Sequence, residues 1–273
     1  MRLPLYLSSG AFTGRINGRN PRLLFDAAKV FPVAGFELMI FDELYSPAPT
    51  LFPAYRAAGI PIPLIHADKK IGDFMSLPDG EEAALSLFGE NMKLARLAGA
   101  KGLVTHCWGM PPSDRYTDLI YRRVGLLKEA AEREGLLFLV ENCVCSDHSP
   151  LFHMKNLRAL YPDISFTVDT RCSEFHGELP ETLREEALWR DNVRHVHIND
   201  YKGAVRDWSA RYPIPRPPMG QIDWPGFFAA LSRLGYRGSV TLEAPAMLPE
   251  GLDVPALSET LAFLKEGFEG AGL

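Results

Sequence analysis

The sequence predicts a single α/β domain over residues 1–273, a closed (β/α)8 barrel. Three observations predict it. Eight short apolar runs recur along the chain, and most are continuous rather than alternating, as suits parallel strands covered on both faces. Amphipathic stretches of helical period separate them. The length of 273 residues lies close to the roughly 250 that such a barrel takes, with little left over for a second domain.

The strands are expected at 3–7, 36–40, 62–66, 102–106, 136–141, 164–169, 193–198 and 239–243. Leu85, Phe88, Met92 and Ala95 mark one helix stripe, Ile120, Val124, Leu127 and Ala131 a second, and Leu257, Leu261, Leu264 and Phe268 a third. Each set is spaced three or four apart, so each forms one face that would lie on the sheet. Asn20-Pro21 and Ser149-Pro150 read as helix caps followed by a first-turn proline. Gly59, Gly99, Gly135 and Gly235 stand where helices should end. An open doubly wound sheet is the alternative, but no G-x-G-x-x-G follows the first strand.

Composition narrows the function classes. Hydrophobic residues make up 47% and charged residues 23%, an ordinary globular balance. The net charge of −5, with no long run of either sign, argues against a general nucleic-acid binder. No apolar stretch approaches the roughly 20 residues that span a bilayer, and Pro4 breaks the apolar run a signal peptide would need. Cys143 and Cys145 lack C-x-x-C spacing. With Cys107 and Cys172 they read as reduced thiols of a cytoplasmic protein.

The chemistry is written at the strand ends. Glu141, Asp169, His197 and Glu243 each close one of the last four apolar runs. In a parallel barrel all strand C-termini open on one face, so these four side chains should converge there. Three carboxylates and an imidazole at one point are costly to desolvate without a cation. A divalent ion turns them into a ligand set, one that suits Mn2+ or Mg2+ and also accommodates Co2+, Zn2+ or Fe2+.

These residues sit in stretches that carry a resemblance. VEN at 140–142, VDT at 168–170, HIND at 197–200, GQID at 220–223 and LEA at 242–244 resemble, in order, the markers of the xylose isomerase-like TIM-barrel superfamily. That superfamily holds sugar isomerases, sugar epimerases and the endonuclease IV branch of DNA repair. The resemblance covers nearly the whole chain and is strongest from residue 136 onward. It implies one divalent metal held by Glu141, Asp169, His197 and Glu243. It also implies that Glu141 and Glu243 are the acid/base pair that moves a proton beside a carbonyl, through a metal-stabilised enediolate. The implied activity is isomerisation or epimerisation of a small sugar, sugar acid or sugar phosphate, in a protein whose relatives are often dimers or tetramers. A dehydratase of a keto-polyol, an endonuclease IV-like nuclease and a non-catalytic sugar-binding barrel remain alternatives.

Several positions depart from the family pattern. A histidine that contacts substrate often stands three residues after the sixth-strand Asp, where this chain has Cys172; the nearest histidine, His176, is the candidate substrate contact in its place, with an exposed loop residue the alternative. The first glycine of Gly-x-Gly-x-Ile-Asp is replaced by Pro218, and Asp223 reads as a helix cap. His66 and His106 end the third and fourth strands and read as substrate contacts. The loop after the seventh strand lacks the histidine that the DNA-repair branch needs there. That loop carries Lys202 and Arg206, candidates for gripping an anionic substrate, while Trp108 is a candidate for stacking on a sugar or covering the barrel end. His195 is expected one layer below His197, buried and hydrogen-bonded. His148 and His153 read as structural or surface residues.

Overall fold

The computed structural model describes residues 3–273. Eight parallel strands are present: β1 Leu5–Ser8, β2 Gly35–Met39, β3 Leu64–His66, β4 Gly102–His106, β5 Leu137–Glu141, β6 Ser165–Asp169, β7 Val193–Ile198 and β8 Ser239–Leu242. They hydrogen-bond in sequence order into a closed barrel. The predicted runs and the observed strands agree within two residues at every boundary. All five residues of β2 and all of β7 except Arg194 are buried, as the continuous apolar pattern requires.

The chain forms two compact units, one from residues up to Phe36 together with Val168–Leu273, the other from Glu37–Thr167. The first contains β1, β7 and β8, with Leu5 in register with Val240 and His197 with Thr241. Its helices include Leu23–Val30, Trp224–Arg233 and Val254–Gly270. Leu257, Leu261, Leu264 and Phe268 form the buried stripe of the last, as their spacing predicts. The second unit contains β3, β4 and β5, with helices Ala48–Ala57, Glu81–Ala98, Thr117–Arg133 and Pro150–Leu160. Here β4 and β5 pair from Gly102↔Leu137 to His106↔Glu141, and β5 pairs with β6 up to Glu141↔Thr167.

Two helix expectations need correction. In Glu81–Ala98 the buried face is Ala84, Phe88, Asn91, Leu94, Ala95 and Ala98, whereas Leu85 and Met92 are only half-buried. The period is right, but the face is rotated because polar Asn91 belongs to it. Its amide accepts the Asp68 N–H at 3.0 Å and donates to Tyr45 Oη and the Leu87 carbonyl, which makes its burial affordable. Asn20-Pro21 does not cap a helix directly. Asn20 Oδ1 accepts the Arg22 N–H in a local turn, and the helix begins at Leu23. Ser149 does cap the next helix, accepting the Phe152 N–H with Pro150 at the first position. Gly99 and Gly135, at φ 77° and 66°, end their helices in the left-handed region that favours glycine.

All four cysteines are buried thiols. Among the described residues, no helix is long and apolar enough to cross a membrane.

Candidate functional site

In the unit Glu37–Thr167, the site residues gather at the ends of β3, β4 and β5. The run LFLVE is apolar until its last residue, so the burial that fixes β5 carries Glu141 in with it, only 3% exposed. His66 Nε2 lies 3.0 Å from Glu141 Oε2, and His106 Nε2 lies 2.9 Å from the same oxygen. The two imidazole rings stand edge to face with centroids 5.0 Å apart. His66 Nδ1 meets the Ala67 carbonyl at 2.9 Å. Both nitrogens of His66 therefore face oxygens that accept when Glu141 is ionised, while a neutral imidazole offers a single N–H. Burial lowers the pKa of His106, and the neighbouring Glu141 carboxylate opposes that in part.

A second cluster forms in the other unit, at the ends of β6, β7 and β8. Asp169 ends β6 and caps the helix Thr170–Phe175, its Oδ1 accepting the Cys172 N–H at 2.7 Å. The family's histidine place is thus filled by a residue whose backbone anchors the carboxylate. Asp169 Oδ2 accepts from Asn199 Nδ2 at 2.6 Å, and the same amide donates to Glu243 Oε2 at 2.8 Å. His197 Nδ1 lies 3.7 Å from Glu243 Oε2. One donor atom each from Asp169, His197 and Glu243 lies within 4.8 Å of the others. Asp169 and His197 are buried, and the Glu243 side chain is 12% exposed. Oxygen atoms with one imidazole nitrogen at this spacing fit a divalent cation.

The sequence left two residues of this cluster without a role. Asn199 is 1% exposed and holds both carboxylates; its backbone is fixed by Thr170, whose hydroxyl donates to the Asn199 carbonyl and accepts its N–H. Asp200 accepts from the backbone of Tyr201, Gly220 and Ile222 and from Trp224 Nε1, which ties down the loop after β7. Both lie within HIND, so the signal was present in the marker itself. His195 is buried as expected, bonded to Ser239 Oγ at 2.7 Å and Thr241 Oγ1 at 3.0 Å. Asp223 caps Trp224–Arg233 through the Gly226 N–H.

Trp108 is 1% exposed, with its indole N–H spent on the Val144 carbonyl and its ring against His153. It packs inside the protein, which leaves its ring little surface for stacking on a sugar. His176 is buried at the end of the helix Thr170–Phe175, beside Phe175. Lys202 and Arg206 lie exposed on the loop after β7, and the Arg206 N–H donates to the Phe175 carbonyl. His153 is structural: buried, it meets Asp114 at 2.9 Å and Tyr121 at 2.8 Å.

The family model for the xylose isomerase-like TIM barrel matches residues 25–267. The chain belongs to this family. No curated protein matches the sequence significantly. Among solved structures, 3-keto-D-glucoside 4-epimerase from E. coli is 22% identical, with TM-score 0.72 over 97% of this chain and 100% of that one. The IOLI protein, solved with a binding zinc atom, is 14% identical, with TM-score 0.80 over 98% and 99%. A xylose isomerase-like TIM barrel/4-hydroxyphenylpyruvate dioxygenase fusion protein is 21% identical at TM-score 0.72. This chain spans 39% of that fusion, with 89% of its own length matched. At these identities the likeness is one of fold.

Proposed function

We propose that this chain is a divalent-metal-dependent isomerase or epimerase of a small sugar, sugar acid or sugar phosphate. It works as a single barrel domain by moving a proton at the carbon beside a carbonyl. The observation that carries the reading is the set Asp169, His197 and Glu243, whose two carboxylates are held by one amide, Asn199. Glu141 is the fourth ligand of the proposal. It pairs in register with Thr167 of β6, two residues before Asp169 on the same side of that strand. Family membership supports the isomerase or epimerase reading, as do an epimerase and a zinc-bound protein among the similar folds.

Glu141, Asp169, His197 and Glu243 would hold one ion, with Mn2+ or Mg2+ favoured by the oxygen-rich set. When bound, the ion supplies polarisation of the substrate carbonyl. The chain's own residues then divide the work. Glu141 and Glu243 take and return the proton as a carboxylate and a carboxylic acid. His66 and His106, which share Glu141 Oε2, would hold that carboxylate in place and contact the substrate. Asn199 keeps Asp169 and Glu243 oriented, and His176, Lys202 and Arg206 complete the contacts to the substrate.

The grouping of His66, His106 and Glu141 favours one second reading, an endonuclease IV-like nuclease with extra zinc. Metal content separates the two. The parent protein is expected to carry about one divalent ion per chain, lost in Glu141→Gln and in His197→Ala. Solvent deuterium should then enter ketoses or sugar acids during turnover. Two or three zinc ions would move the reading to the nuclease, and no metal under any loading condition would end both.

A further inference from the structure

Arg171 is a buried charge that the proposed chemistry leaves unused. It lies two residues beyond Asp169, in the helix Thr170–Phe175, and is 8% exposed. Among the described residues, neither its Nε nor its Nη1 finds a hydrogen-bond partner. A buried guanidinium with unmade hydrogen bonds is strongly unfavourable by itself, so its complement is to be sought outside the chain. Cys172, Asp169, Tyr212 and Glu243, in falling order, act on it electrostatically, two of them carboxylates of the proposed ligand set.

Those carboxylates are already served by other donors. Asp169 takes the Cys172 N–H on Oδ1 and the Asn199 amide on Oδ2, and Glu243 Oε2 takes the same amide. A residue acting only as their counter-charge would be expected to donate to them directly. We propose instead that Arg171 recognises an anionic group of the substrate, so that the sugar carries a carboxylate or a phosphate. This rests on the isomerase or epimerase reading of the same site. The planar guanidinium presents paired N–H donors that match the oxygens of either group, which a lysine or a glutamine cannot reproduce.

The test is calorimetric binding to the metal-loaded protein of three probes: D-gluconate, D-fructose 6-phosphate and uncharged D-fructose. The parent should bind at least one anionic probe about 10- to 100-fold more tightly than fructose. The stronger of the two identifies carboxylate or phosphate. Arg171→Gln should lose that preference while keeping its metal, and Arg171→Lys should keep part of it. A parent protein without preference for either anion overturns the proposal. So does an Arg171→Gln protein that keeps the preference but sheds metal, the behaviour of a mere counter-charge. Should Arg171→Gln fail to fold, the parent and Arg171→Lys decide. Metal content and deuterium exchange in the same preparations report separately on the isomerase reading, whose failure would leave an Arg171-dependent anion preference standing.

Discussion

A single side-chain amide, that of Asn199, sets the orientation of two carboxylates that belong to different strands. Removing it in Asn199→Ala leaves Asp169 Oδ2 and Glu243 Oε2 without their shared donor. Metal affinity should fall about 10- to 100-fold, as for other partners that orient metal ligands, while the fold persists. Competition against a chelator of known affinity measures this, and unchanged affinity would mean that the two carboxylates hold their positions unaided. Glu243→Gln tests the chemistry at the same scale. It should keep the fold and much of the metal yet lose turnover by roughly three orders of magnitude or more. Full activity would end the two-glutamate mechanism. The sequence shows why Glu141, Asp169, His197 and Glu243 were legible and Asn199 and Arg171 were not. A charged residue closing an apolar run is conspicuous. An amide in a loop or an arginine in a short helix becomes informative only when its partners, or its lack of them, are known.

At the scale of elements, Asp114 fastens the loop after β4 to the start of the helix Pro150–Leu160. Its carboxylate accepts the N–H groups of Ser146, Asp147 and His148, the Ser113 hydroxyl and His153 Nε2. Burial alone would raise its pKa, but the hydrogen bonds from His153 and the three backbone groups outweigh it and hold the carboxyl well below the usual range. A folded-state pKa below the unfolded value of about 3.9 gives stability that is complete above that value. It is lost as pH falls toward the folded-state pKa. Asp114→Asn should therefore cost about 3 kcal/mol near neutrality and flatten the acid limb of the stability curve. Denaturant melts of both proteins from pH 7 to pH 3 check this; parallel curves would remove Asp114 from the acid response. Element existence was legible here from periodicity, since Ile120, Val124, Leu127 and Ala131 are all buried as their spacing predicts. The face of Glu81–Ala98 was not, because hydrophobic spacing gives Asn91 no credit for a buried position that its hydrogen bonds make tolerable.

For the whole molecule, the order of the strands around the barrel followed from their order in the chain, because each helical crossover returns to the neighbouring position in a parallel sheet. The positions proposed to bind the ion, 141, 169, 197 and 243, are widely separated in the sequence. An unfolded chain does not present them together, so an ion bound by all four would favour the native state by mass action. At a free concentration 100-fold above Kd the gain is about 2.7 kcal/mol. For a chain of this size that corresponds to a rise in Tm of roughly 5–10 °C. Melting the chelator-stripped protein with and without added Mn2+, Mg2+ or Zn2+ measures it, and His197→Ala should abolish most of the shift. Identical melts in the parent, with metal retention excluded by elemental analysis, would show that the four residues do not act as one ligand set. A shift that survives in His197→Ala would place the ion elsewhere, with the His66, His106 and Glu141 cluster the next position to mutate.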